Sequence, residues 1–318
     1  MAKKIISVVG ATGVQGGSVI DALLKENVYQ IRALTRNPAS EAAQKLAQKG
    51  VQVVCADASD VPSLIAAFDG SSAIFAMTNF AEPYFSTGSV ERAIAIEAEQ
   101  GINLAKAAAA IATLDHYIWS TLPNSMDVTG GKIMVPQFEG KNKVDKFIQL
   151  DSALLAKTTF LVLGFYSEDF AYPTFAPVEI PGAGQYVQLL CTPGDTPILG
   201  LGHARTNVGL FVKAILEHPE KTTLGKTVSA FTEQTTPEKL LQSWAKVNGK
   251  KALYVEVNIK TFSTLWTNAG VDVIAKMMDF HRYMDRNPWA GSKDILTKDD
   301  LGVEGLLSIE ESFAALKF

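Results

Sequence analysis

Ile5-Ile6-Ser7-Val8-Val9-Gly10-Ala11-Thr12-Gly13-Val14-Gln15-Gly16-Gly17 is the stretch that decides the fold: an apolar run opens directly into a glycine-rich turn. Val19, Ile20, Leu23 and Leu24 then recur at helical spacing, and Ile31 to Leu34 resumes an extended pattern. This is one βαβ unit. Glycines at 10, 13 and 16 between a strand and a helix predict a phosphate cradle, because a turn without side chains lets backbone N–H groups and the positive helix end approach a pyrophosphate. The spacing is GxxGxxG, a variant of the GxGxxG dinucleotide fingerprint. About twenty positions on, where a carboxylate would bind the ribose 2′-hydroxyl of NAD, the chain offers Thr35 and Arg36. A hydroxyl and a guanidinium suit a 2′-phosphate, so the expected cofactor is NADP(H).

Outward from this unit, strands and helices keep alternating. A helix over 42–48 leads to a strand over 51–57, and Asp60 is placed to cap a helix carrying Pro62, Leu64 and Phe68. Residues 73–77, 116–120 and 159–163 read as buried strands; 90–111 and 137–150 read as helices. The strands are nearly all apolar, which predicts an α/β fold: a doubly wound parallel sheet, the Rossmann fold, covered on both faces. From Ser167 the rhythm breaks at Tyr172-Pro173, Pro177, Pro181-Gly182 and Pro193-Gly194. The expected division is an NADP-binding domain over 1–166 and a smaller C-terminal substrate lobe over 167–318. Segments at about 205–232 return to the Rossmann core as a helix over 207–216 and a strand over 226–231.

Bulk properties narrow the function. The chain has 318 residues, 47% of them hydrophobic, and a net charge of −4, which gives a large core and no general attraction to nucleic acid or anionic membranes. No partner of either kind is expected. The apolar run after Met1-Ala2-Lys3-Lys4 is too short for a signal-peptide core and no 18-residue apolar stretch occurs, so the expected compartment is the cytoplasm. Cys55 and Cys191 support neither a disulfide framework nor a metal site. Both are expected to be buried thiols.

In a doubly wound sheet the ligand lies at the carboxyl ends of the strands. On that rule Gly10, Thr12, Gly13, Val14, Gln15 and Gly16 would hold the pyrophosphate, while Thr35, Arg36 and Asn37 would hold the 2′-phosphate. Asp57 and Ala58 would meet the adenine edge, and Met77, Thr78 and Asn79 would run along the cofactor. Ser120 and Thr121 would flank the nicotinamide, with Gly164, Phe165 and Tyr166 over the mouth of the active site. Each has a plainer alternative: Arg36 as a solvated loop cation, Asp57 as a turn stabiliser, Lys141 as a surface cation.

Reductases on this scaffold commonly use Tyr-x-x-x-Lys, in which the lysine lowers the phenol pKa and grips the nicotinamide ribose. Here the segment is Gln137-Phe138-Glu139-Gly140-Lys141: the lysine is present and the tyrosine is not. A glutamine amide is no general acid near neutral pH. Proton delivery is left to Lys141, a relayed water or Tyr166. Phe165, Tyr166, Phe170, Tyr172, Phe175, Trp266, Met277, Phe280 and Tyr283 could grip a planar substrate or simply fill cores, and residues 271–283 read as an amphipathic helix able to close a pocket.

Gly10 to Gly16, Leu34-Thr35-Arg36-Asn37-Pro38, Thr78-Asn79 and Gln137 to Lys141, followed by Tyr166, together resemble the NmrA-like family, atypical members of the short-chain dehydrogenase/reductase superfamily. The likeness spans most of residues 3–170. It implies that Gly10, Gly13, Gly16, Arg36, Thr78, Asn79 and Lys141 contact the cofactor, with Lys141 also catalytic; Ser120 and Tyr166 join it as candidate catalytic residues from their places at the strand ends. The family holds NADP-sensing regulators that perform no reduction. It also includes proteins similar to isoflavone and phenylcoumaran reductases, which use a Phe-x-x-Lys lysine on aromatic natural products of secondary metabolism. Phe138-Glu139-Gly140-Lys141 fits the second kind and Thr78-Asn79 the first. The implied function is therefore an NADPH-dependent reductase of a carbonyl, imine or conjugated alkene on a small aromatic substrate. The alternative is an NADP(H) sensor acting through a protein partner.

Overall fold

A computed structural model describes residues 3–266, 270–284 and 294–316. Its centre is an eight-stranded sheet, parallel throughout. Six strands follow the alternation read in the first half: β1 (Lys4–Val8), β2 (Tyr29–Thr35), β3 (Gln52–Cys55), β4 (Ser71–Ala76), β5 (His116–Thr121) and β6 (Thr158–Leu163). Their spatial order is 3-2-1-4-5-6, and strands Lys226–Ala230 and Ile295–Leu296 extend the sheet beyond β6. The order reverses between β1 and β4, which is where such a sheet opens a crevice at its strand ends.

Alternation within each strand feeds two cores. Ala73, Phe75, Ile118 and Leu161 face helix α1 (Val14–Glu26) and the helix Ala204–Glu217, through Val19, Ile20, Leu23, Val208, Phe211 and Ile215. Ile74, Ala76, Tyr117, Trp119 and Phe160 face the opposite side. There they meet α3 (Val61–Phe68), α5 (Val90–Ala109) and α7 (Pro136–Leu150). Such period-2 switching is what a strand buried on both faces requires. Between these helices lie α2 (Glu41–Gln48), α4 (Ala81–Thr87) and α6 (Ser125–Val128). Asp60 caps α3 as expected, accepting from the Ser63 N–H.

Beyond β6 the chain builds two small sheets. One joins Phe165–Tyr166, Ile198–Gly202 and Glu233–Thr235; the other joins Val178–Ile180, Gln185–Leu190 and Ala252–Glu256. Separate apolar cores lie around Leu241 and Phe313 and around Phe262 and Met278. The helix Val271–Met284 returns to α7, where the Phe280 ring meets Phe138 edge-on at 5.8 Å. Cys191 is buried but Cys55 is exposed, because Cys55 ends β3, the edge strand of the large sheet. Among the described residues no helix is long and apolar enough to cross a membrane, and no cluster of His, Cys, Asp or Glu is placed to hold a metal ion.

Candidate functional site

At the strand ends lie two adjacent spaces. The first is a groove of about 440 Å³. Gly10, Thr12, Gly13, Val14, Gln15, Thr35, Arg36, Asn37, Asp57, Ala58, Met77, Thr78 and Asn79 line it, together with Glu82 and Gln100. Gly10 sits at φ +66°, a conformation costly for any residue with a side chain. Its carbonyl accepts the Gly13 N–H at 2.9 Å, closing the turn. Helix α1 then starts with no side-chain cap and no acidic residue in its first turn, so its leading N–H groups and positive end face the groove uncompensated. These features fit a dinucleotide pyrophosphate. Gly16 is not among the lining residues: a Cβ there would come within 2.4 Å of the Gly10 carbonyl oxygen. It brings helix and strand together and shapes the turn from behind.

At the far end of the groove, Arg36 leaves the carboxyl end of β2. Both of its terminal nitrogens donate to Glu82 in the first turn of α4, Nη2 to Oε2 at 3.0 Å. The segment around Glu82 is ordered into α4: Asn79 accepts the Ala81 N–H, Phe80 stacks on Tyr84, and Gly88 ends the helix in the left-handed region. Asp57 accepts the Ser59 N–H at 2.8 Å, the turn-stabilising contact. Thr35 likewise accepts the Asn37 N–H.

The second space is a cavity of about 260 Å³ lined by Ser120, Thr121, Gln137, Lys141, Gly164, Phe165, Tyr166, Asp169 and His281. Leu122, Phe138, Leu163, Ile198, Leu199, Met277 and Phe280 make its wall predominantly apolar. Gln15 lines both spaces. Its carbonyl oxygen accepts from the Ser120 hydroxyl at 2.8 Å and its amide donates to the Tyr166 hydroxyl oxygen at 3.0 Å. Phe165, Tyr166, Met277 and Phe280 thus line the cavity, whereas Phe170 and Phe175 are buried in neighbouring cores and Tyr172 and Tyr283 are exposed.

Lys141 is no surface cation. Its side chain is 8% exposed. Nζ donates to the carbonyl and to the hydroxyl of Thr78, both at 3.0 Å, and lies 3.5 Å from Glu97, which is fully buried on α5. The Thr78 hydroxyl in turn donates a hydrogen bond to Glu97 Oε1 at 2.9 Å. Lys141 therefore bridges the two spaces from α7, balanced by a carboxylate that the sequence reading did not single out. Gln137 precedes it by about one helical turn on the same face of α7, and its buried side-chain oxygen has no hydrogen-bond partner among the described residues.

Burial sets the protonation states. The Tyr166 phenol is raised above its ordinary value, first by desolvation and then by Asp169. It stays protonated; its oxygen accepts from Gln15. Asp169 is pushed up to about 7 by burial and then by neighbouring Glu168. Desolvation lowers His281 to about 4, leaving it neutral at pH 7. Asp145, behind Thr121, is raised to about 7 by burial despite accepting from Thr121 and Trp119 at 2.8 and 2.7 Å. Asp169 and His281 escaped the sequence reading because no motif marks them; both lie in the half of the chain where the βα rhythm is lost.

The sequence profile of the NmrA-like family matches residues 2–313. An NmrA-like family domain-containing oxidoreductase of Aspergillus hancockii, hkm9, is 30% identical over 271 residues, 82% of this chain and 78% of that one. Among solved structures, the negative transcriptional regulator NmrA in complex with NADP superposes with a TM-score of 0.75 at 21% identity, covering 99% of this chain and 95% of the other. Triphenylmethane reductase of Citrobacter sp., complexed with NADP(H), superposes at 0.70 with 23% identity, over 98% and 99% of the two chains. With its motifs, its sheet order and a profile match over nearly all its length, the chain belongs to the NmrA-like family.

Proposed function

We propose that this protein is an NADPH-dependent reductase that transfers a hydride to a carbonyl, imine or conjugated alkene of a small, planar, largely apolar substrate. The observation that carries this reading is the adjacency at Gln15 of a polar groove suited to a dinucleotide and a cavity with apolar walls and few polar groups. The oxidoreductase name of the Aspergillus hancockii relative supports it, as do the NADP and NADP(H) complexes of the two structural neighbours.

Bound NADPH would supply the hydride; everything else falls to the chain's own side chains. Lys141, fixed by Thr78 and Glu97, holds the nicotinamide ribose and places a positive charge beside the substrate oxygen. Tyr166 is the proton-side group: its oxygen accepts from Gln15, which leaves its own O–H to donate into the cavity. Ser120 keeps the Gln15 amide in the orientation this needs. Gln137 cannot replace the absent tyrosine as an acid, but its amide can bond a substrate oxygen. The leading test is NADPH oxidation over a panel of aromatic ketones, imines and enones, with product identified. Turnover of at least one member is expected. No oxidation across the panel, with NADPH bound and a nucleotide-dependent protein partner recovered, would replace this reading with the sensor.

A further inference from the structure

Arg36 and Glu82 face each other across the end of the groove where the adenosine ribose would lie, and both line it. Their contact is bidentate and uses both terminal nitrogens of the guanidinium, the same fork that grips a phosphate. The two side chains are 62% and 52% exposed. Such solvated pairs contribute little net stability. Glu82 also sits in the first turn of α4, on a segment that begins with Thr78, the partner of Lys141.

We propose that Glu82 sets the nucleotide preference of the groove: its carboxylate competes with a 2′-phosphate for Arg36 and, where that phosphate is missing, accepts a hydroxyl of the adenosine ribose. This rests on the reading that Arg36 is the 2′-phosphate residue. A phosphate and a carboxylate on one guanidinium repel each other, so a 2′-phosphorylated nucleotide binds only after Glu82 gives way. A dinucleotide with a free 2′-hydroxyl meets no such conflict, because a hydroxyl donates to a carboxylate. The nearby Asp57 carboxylate acts on Arg36 in the same sense as Glu82. The pair therefore narrows the gap between NADPH and NADH that Arg36 alone would open.

The test is equilibrium titration of the wild type, Glu82→Gln and Arg36→Met with NADPH and NADH, repeated with 2′-phospho-AMP and AMP as probes of the adenosine end. In Glu82→Gln the ratio of NADH to NADPH dissociation constants should rise roughly tenfold, the scale of one charged contact. Most of that change should come from tighter NADPH, and the AMP pair should follow it. An unchanged ratio, or weaker NADPH binding in Glu82→Gln, overturns the proposal. Arg36→Met separates the two layers. If it abolishes the preference while Glu82→Gln changes nothing, only the role of Glu82 is wrong; if it leaves the preference intact, both readings fall.

Discussion

The groove and the cavity meet at one glutamine yet are built in opposite ways. The groove is made mostly of main chain and short side chains at consecutive strand ends: residues 9–15 after β1, 34–37 after β2, 56–58 after β3 and 77–79 after β4. Each of these pieces is local in the sequence, and the groove's chemistry is that of backbone N–H groups and one cation, Arg36, paired with the Glu82 carboxylate. The cavity is made of side chains brought from the ends of β5 and β6, one face of α7, the start of the strand Ile198–Gly202 and the helix Val271–Met284. The difference teaches that a nucleotide site can be encoded locally while a substrate site on the same sheet is assembled from afar.

Breaking the cavity should have the largest effect. Lys141→Met removes the buried cation, and single-turnover NADPH oxidation should fall by about 10² to 10⁴, the scale of a positioned acid or base. The same change strands Glu97, whose side chain is 0% exposed, and should destabilise the fold by about 3–5 kcal/mol. Adding Glu97→Gln should restore much of the melting temperature and none of the turnover. Recovery of activity in the double variant would mean that Lys141 serves only to neutralise Glu97.

Breaking the groove should cost less and act chiefly on nucleotide binding. Arg36→Met should lose about 1.5–3 kcal/mol of NADPH affinity, the value of a hydrogen bond to a charged group, with NADH little changed; calorimetric titration of both nucleotides reads this directly. Gly16→Ala forces a methyl group to within 2.4 Å of the Gly10 oxygen. It should lower stability by about 1–3 kcal/mol, as overpacking does, and weaken both nucleotides together because the turn itself is displaced.

The smallest effect joins the two regions to pH. The Asp145 carboxyl, held at about 7 in the fold, binds its proton more tightly there than in the unfolded chain. Its contribution to stability is therefore fully present below the unfolded value and is lost as pH rises through about 7. Asp145→Asn keeps partners for Trp119 and Thr121 without an ionising group, so its melting temperature relative to wild type should rise between pH 5 and pH 8. His116 and His281, both depressed to about 4 by burial, run the other way and destabilise as pH falls below their unfolded value. That background is common to both proteins and cancels in the difference.

What could be read in advance follows the same division. The six strands from Lys4 to Leu163, the glycine turn and Lys141 on α7 are local patterns, and they stand where periodicity and spacing put them. Glu82 was hidden because α4 is short and contains Pro83, so its segment reads as loop. Glu97 was hidden because a carboxylate in an alanine- and glutamate-rich helix looks like its solvated face until α7 is packed against it. Asp169 and His281 belong to a lobe with no repeating pattern. Cys55 is exposed because β3 is the sheet edge, which nothing in its own strand reveals.

The most direct test of the whole account is single-turnover transfer from NADPH carrying deuterium at both hydrogen positions of the nicotinamide C4. The wild type and the Lys141→Met/Glu97→Gln variant would be compared with one accepted substrate from the aromatic panel. The account predicts one deuterium in the wild-type product and about 10² to 10⁴ slower transfer in a variant that still binds NADPH. Equal rates in the two proteins, or no deuterium in any product of a wild type saturated with NADPH, would contradict it.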